Sequence, residues 1–166
     1  APLGTVAGVS GFQVHIGNTE INTPGDIADV LVAMNPAALK ANKNWIKKGG
    51  TIIINSDAFA KKDLDKAGYE NNPLEDGSFS GFNIVEAPIS NLTQETLKGS
   101  GLDGKSIRRA KNMFALGMVY WMFNRPMERT KKFLQDKFES KPLLVESNIK
   151  VLPSGYNFAN TIEACL

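Results

Sequence analysis

The sequence predicts an α/β protein: a three-layer α/β/α arrangement around a mostly parallel or mixed sheet, with a helical C-terminal third. Three observations carry this. Val30-Leu-Val-Ala-Met34 and Thr51-Ile-Ile-Ile54 are continuous apolar runs rather than alternating ones, the pattern of strands buried on both faces. Between them, residues 36–48 place Ala37, Ala38, Leu39, Ala41, Trp45 and Ile46 among lysines and asparagines, as an amphipathic crossover helix does. From residue 105 onward the apolar side chains recur at helical spacing. A strand, helix and strand in that order make a right-handed crossover within a parallel sheet.

The chain begins Ala1-Pro-Leu-Gly, without an initiator methionine or a secretory apolar segment, and reads as processed or as a piece of a larger chain. Residues 5–16 are expected to form a first strand, with Phe12, Val14 and Ile16 on one face and Gln13 and His15 on the other. Gly8-Val-Ser-Gly11 is glycine-rich, but a phosphate loop needs a strand before it and a helix after it, and here a strand follows. Asn22-Thr-Pro-Gly25 is turn chemistry.

Asn35 reads as the N-cap of the crossover helix, with Pro36 at its first position and Gly49-Gly50 as its stop. Residues 58–67 follow as a short helix carrying Phe59, Leu64 and Ala67, stopped by Gly68. Residues 69–81 are loop by composition. Residues 82–89 read as a third strand of the parallel set, closed by Pro88, and residues 92–97 as one or two helical turns.

Residues 105–124 are the main helix, amphipathic at first through Ile107, Ala110, Met113 and Phe114, then apolar almost all round over 115–123. Gly117 would let a second backbone approach there, at a cost of about 1 kcal/mol of helix propensity relative to alanine. A further helix is expected over 130–138. The last runs from 141 or 142 to about 152, where Pro153-Ser-Gly155 breaks it. One α/β domain over 1–166, a fragment of a larger subunit, is the expected organisation.

Composition narrows the function. The 166 residues are 42% hydrophobic and 22% charged, with a net charge of +2. That is ordinary for a globular protein and too even for a nucleic-acid binder with a concentrated basic face. No apolar run approaches the ~20 residues of a membrane span. The single cysteine, Cys165, permits no internal disulfide and fits a reducing, cytoplasmic setting. It also cannot supply the four thiolates of an iron–sulfur cluster. The single histidine, His15, reads as a solvent-side strand residue, leaving no second histidine for a zinc site or a catalytic triad.

No catalytic or metal-binding residue is assigned. The candidates for ligand binding are Asn35, Asn55 and Ser56, with Asp57 beside them, because open α/β sheets take ligands at the carboxyl ends of their strands. The same residues are ordinary caps and turn formers. Glu75-Asp76-Gly77 followed by Asn83 loosely resembles a thiamine-diphosphate motif, but lacks its first glycine and its spacing.

Four stretches together resemble a known family. They are Gly8-Val-Ser-Gly-Phe-Gln-Val-His-Ile16, Gly25-Asp26 with Asp29-Val-Leu-Val-Ala-Met-Asn-Pro-Ala-Ala-Leu39, Gly49-Gly-Thr-Ile-Ile-Ile-Asn-Ser-Asp57, and Lys111-Asn-Met-Phe-Ala-Leu-Gly117. In order and spacing the chain resembles the gamma domain of 2-oxoacid:ferredoxin oxidoreductases, above all the one that opens the alpha subunit of the 2-oxoglutarate type. The resemblance implies a complex that converts a 2-oxoacid, coenzyme A and oxidised ferredoxin into acyl-CoA, carbon dioxide and reduced ferredoxin.

Thiamine diphosphate, Mg²⁺ and a [4Fe–4S] cluster are expected in that complex and none in this chain, whose part is that of a non-catalytic scaffold. The implied partners are the other domains or subunits, with ferredoxin and coenzyme A met through them, and neither nucleic acid nor membrane. The resemblance also implies an opening strand, glycine-rich turn and helix that this sequence lacks. A nicked peptide, a symmetric partner or an exchanged strand is expected to fill that place.

Two other readings stand beside this one. The first is a free-standing nucleotide- or small-molecule-binding α/β module using Asn35, Asn55 and Ser56. The second is an oligomerisation module organised by the helix over 113–123.

Overall fold

Three parallel strands, β1 (Ala28–Ala33), β2 (Ile46–Asn55) and β3 (Asn83–Ala87), lie in that order in one sheet. The computed structural model describes residues 9–17, 19–23 and 25–163. They fall into two units, one ending at Ala87 and one beginning at Pro88. The sheet is wholly parallel among the described residues, not mixed. With this sheet and six α-helices among the described residues, the chain is of the α/β class, in keeping with a three-layer α/β/α fold.

In the first unit β2 is the central strand. Ile52 and Ile54 enter a core with Ala33, Leu39, Phe59, Leu64 and Phe79, while Ile53, on the opposite face, is just as fully buried. That two-sided burial is what the unbroken apolar run predicts. The register sets Val30 beside Thr51 and Ala33 beside Ile54, and Thr51 beside Asn83 and Asn55 beside Ala87.

The crossover departs from expectation. Helix α1 (Pro36–Asn42) ends six residues earlier than the sequence suggests, where the Asn42 side-chain amide donates to the Ala38 carbonyl at 2.8 Å. A 3₁₀ turn over Lys43–Trp45 follows, and β2 starts at Ile46, not Thr51. Ile46 is buried and pairs with Ala28, and Lys47 is ion-paired with Asp29. Gly49-Gly50 is therefore no helix stop but the irregularity between two ladder segments. Gly49 takes φ +75°, and a Cβ on Gly50 would lie 3.0 Å from the Asp29 carbonyl oxygen.

Helix α2 (Lys61–Lys66) is shorter than the expected 58–67, because Ser56–Ala58 form a 3₁₀ turn first. Its stop is as expected: Gly68 at φ +72° lets the Tyr69 amide reach back to the Leu64 carbonyl at 3.0 Å. The expected first strand is not one where it is described. Residues 9–17 run without regular structure and join no ladder; residues 5–8 lie outside the described residues.

The second unit is helical: α3 (Ile89–Thr96), α4 (Gly104–Met122), α5 (Glu128–Lys137) and α6 (Pro142–Thr161). Helix α3 begins three residues before the expected 92–97. Asp103 caps α4, its carboxylate accepting from the Lys105 and Ser106 amides at 2.8 and 3.0 Å. Ala110, Phe114 and Met118 of α4 and Val151, Leu152 and Ala159 of α6 are fully buried or nearly so, and α4 packs principally on α6. The rings of Phe114 and Phe158 meet at 5.8 Å, and the Trp121 indole donates to Asn160 at 2.9 Å.

Helix α6 does not break at Pro153-Ser-Gly155 but continues to Thr161. Packing against α4 overrides the local penalty of the proline. Gly117 has the close backbone neighbour its sequence suggests: a Cβ there would lie 2.8 Å from the Tyr156 amide nitrogen of α6.

Candidate functional site

Parallel strands in register end at a common edge, and Asn35, Asn55, Ser56 and Asp57 all lie at the carboxyl edge of the sheet in the first unit. The structure thus brings the sequence candidates to one edge, as the ligand-binding rule for open sheets requires. Their individual roles are structural where a bond defines them. The Asn35 side-chain oxygen accepts from the Ala38 amide at 2.8 Å, which makes it the N-cap of α1. Asn55 is fully buried at the end of β2 and is not without a partner. Ser56 opens the 3₁₀ turn, its carbonyl accepting from the Phe59 amide at 3.1 Å.

Two hollows lie elsewhere. In the first unit a hollow of about 330 Å³ is lined by Phe59, Leu64, Tyr69, Asn71 and Asn72 among others. In the second unit a hollow of about 400 Å³ is lined by Leu102, Ser106, Arg109, Lys141 and Leu143 among others. Neither is lined by Asn35, Asn55 or Ser56.

Sequence reading passed over the polar cluster beside the first hollow. The Lys40 ammonium donates to the Ala67 and Gly68 carbonyls at 3.0 and 2.7 Å, closing the end of α2, and stands 5.1 Å from the centre of the Tyr69 ring. The Tyr69 hydroxyl oxygen is buried with no hydrogen-bond partner. Burial, and then the negative charge of Asp76, push its pKa above the ordinary tyrosine value. Asp76 and Asp103 move the other way, held below the ordinary carboxylate range by bonds from Ser78 and Ser106 respectively. Nothing in the spacing of Lys40 and Tyr69, 29 positions apart, could reveal the pair; it exists only once α1 and α2 are set side by side.

Among the described residues no three His, Cys, Asp or Glu side chains are gathered to hold a metal ion. Nor is any helix there long and apolar enough to cross a membrane. A [4Fe–4S] cluster takes four thiolates, and the sequence has one cysteine.

A family model for pyruvate ferredoxin/flavodoxin oxidoreductase matches residues 5–158, both units together. The chain belongs to that family. It is 46% identical over 164 residues to the 2-oxoglutarate oxidoreductase subunit KorA of Mycobacterium tuberculosis, the match covering 99% of this chain and 25% of that subunit. Among solved structures it resembles the 2-oxoglutarate:ferredoxin oxidoreductase of Magnetococcus marinus, a structure with 2-oxoglutarate, coenzyme A and succinyl-CoA bound. The TM-score is 0.61 and the identity 26%, over 86% of this chain and 22% of that one. The chain thus spans about a quarter of the length of the curated relative it matches. The family match runs from residue 5 to residue 158, within α6, and so takes in all four stretches that carry the resemblance read from the sequence.

Proposed function

We propose that this chain is a non-catalytic scaffold and interface domain of a thiamine-dependent 2-oxoacid:ferredoxin oxidoreductase acting on 2-oxoglutarate. The enzyme makes acyl-CoA, carbon dioxide and reduced ferredoxin in the cytoplasm. The observation that carries the reading is the 46% identity to a 2-oxoglutarate oxidoreductase subunit across nearly all of this chain and only a quarter of that subunit. The candidate edge supports it from the other side. Asn35 caps a helix and Ser56 closes a turn, work that requires no ligand. In this reading residues 1–166 are one α/β domain, and thiamine diphosphate, Mg²⁺ and the [4Fe–4S] cluster are held by other parts of the enzyme, with which this domain packs. Ferredoxin and coenzyme A are met through those parts.

Two measurements test it. The assembled enzyme containing this chain should reduce ferredoxin in the presence of 2-oxoglutarate and coenzyme A, and omitting either should stop the reaction. The 166-residue chain alone should take up no thiamine diphosphate in a calorimetric titration; stoichiometric uptake there would refute the scaffold role. A rise in melting temperature with an adenine nucleotide, abolished by Ser56→Ala, would instead support a free-standing nucleotide-binding module at Asn35, Asn55 and Ser56.

A further inference from the structure

The charge of the chain is divided unevenly between its two units. Residues 1–87 carry seven lysines and arginines against ten aspartates and glutamates, and residues 88–166 carry twelve against seven. Part of the excess in the second unit lies on one face of α5. Arg129, Lys132, Phe133, Asp136 and Lys137 stand at i, i+3, i+4, i+7 and i+8, which is a single stripe of a helix. All five are exposed, Phe133 at 56%. The opposite stripe, Thr130, Leu134 and Phe138, is buried or half-buried, and Thr130 shares a 2.7 Å hydrogen bond with the Tyr120 hydroxyl of α4. Packing of α5 within its own unit therefore leaves the charged stripe outside.

Nothing within the chain neutralises that stripe. Among the described residues none of its four charged groups is in an ion pair. The Lys137 ammonium lies 5.2 Å from the centre of the Phe133 ring and 5.8 Å from that of Phe138, a contact that favours one ring position before any partner arrives.

The pattern of charge limits what can cover the face. Three cations and one anion around an exposed ring fit a folded surface of the opposite pattern, with carboxylates for Arg129, Lys132 and Lys137 and a basic group for Asp136. A nucleic acid or an anionic membrane offers negative charge alone. It is repelled by Asp136 within the stripe, and by Glu128 at the start of α5 and Glu139 just past its end. An arginine and an aromatic side chain are also the residue types that protein interfaces enrich. Area then selects the source. A stable interface between independent molecules engages about 20–30 residues a side, far more than one helical stripe supplies. A surface held in the same assembly needs no such area, because its effective concentration is already high.

We propose that the outer stripe of α5 is an interface of this domain with the remainder of the oxidoreductase, and that the surface it meets is acidic, with carboxylates set against Arg129, Lys132 and Lys137. This rests on the reading of the chain as one part of such an enzyme.

Carbodiimide cross-linking of the assembled enzyme tests it, with ferredoxin reduction measured on an untreated portion of the same preparation. The reagent activates a carboxylate, and a lysine amine in contact with it displaces the activated group to form an amide. Peptide mass spectrometry should find Lys132 and Lys137 joined to Asp or Glu side chains outside the 166 residues. Arg129→Glu combined with Lys132→Glu should lower the yield of the Lys137 product at least tenfold. The circular dichroism of the chain alone should not change, since both side chains are exposed in it.

No such product in the assembled enzyme, or products only with carboxylates of this chain, would overturn the interface, and with activity intact would leave the functional reading standing. An undiminished Lys137 product in the double variant would overturn it too, because charge would not then direct the contact. Products with outside carboxylates but no 2-oxoglutarate-dependent activity would support the interface and sink the functional reading. A lone chain whose Lys132 and Lys137 join to another copy as readily as they react in the assembly would overturn it in favour of that copy.

Discussion

Gly155 of α6 lies against the backbone of Phe114 in α4, so close that a Cβ on it would fall 2.7 Å from the Phe114 carbonyl carbon and closer still to the oxygen. Gly117 makes the reciprocal approach, to the Leu152 carbonyl and the Tyr156 amide. The two glycines bring the helices together where Phe114, Met118, Val151 and Leu152 are buried, so a methyl group at either must push whole backbones apart. Gly117→Ala and Gly155→Ala should each destabilise the chain by about 1–3 kcal/mol or more, the cost of overpacking. Gly81→Ala, where a Cβ would meet nothing within 4 Å, should stay within about 0.5 kcal/mol of the parent. Urea unfolding midpoints with unchanged slopes measure all three; equal midpoints for Gly155→Ala and Gly81→Ala would contradict the close approach.

At the strand edge, Asn35 separates a capping role from a binding one. Its side-chain oxygen holds the Ala38 amide, so Asn35→Ala should cost about 1 kcal/mol of stability, while Asn35→Asp and Asn35→Ser should restore most of it. Thermal melts of the four proteins decide this. Loss of activity in the assembled enzyme for Asn35→Ser at unchanged stability would show that the residue also touches a ligand.

Tyr69 gives the alkaline limb of the stability profile a definite sign. Its folded pKa is raised, by burial first and Asp76 second, above the unfolded value of about 10. Its contribution is complete below pH 10. As pH rises from there toward the folded pKa, the unfolded chain releases a proton that the folded chain keeps, so stability falls across that window and levels off above it. Tyr69→Phe should remove that part of the decline and, because the hydroxyl has no partner, cost little or nothing at neutral pH. Urea titrations at pH 8, 10 and 11 measure both effects; an unaltered alkaline slope in Tyr69→Phe would assign the decline to other groups.

These residues also show how far the sequence could be read. The unbroken apolar runs were legible because burial on both faces leaves no polar positions, and Ile52, Ile53 and Ile54 are all fully buried. The N-cap at Asn35 and the stop at Gly68 were legible because each is decided within a few residues. The start of β2 was not. Ile46 and Lys47 suit a helix as well as a strand, and what makes them strand is the distant partners Ala28 and Asp29. At the candidate site, the sequence located Asn35, Asn55 and Ser56 on one edge through the strand ends alone. The contact of Lys40 with Tyr69 depends on α1 meeting α2, and no local pattern announces it.

Pro153 is the position where local preference and packing disagree most. A proline inside a helix removes an amide donor and costs up to about 3 kcal/mol in an isolated helix, which is why the sequence reads as ending there. The chain instead carries α6 through to Thr161, because the second half of the helix buries Ala159, brings Gly155 onto Phe114 and sets Asn160 to accept from Trp121. Ser154 adds a local bond, its hydroxyl donating to the Lys150 carbonyl at 3.0 Å. If packing holds the helix together against the proline, Pro153→Ala should restore a donor for the Ile149 carbonyl and stabilise the chain, by about 1 kcal/mol or more. Trp121→Phe, which deletes the donor to Asn160, should destabilise it and increase amide exchange over residues 156–161. A Pro153→Ala chain with a lower melting temperature than the parent would mean that the proline ring itself fills a space the packing needs.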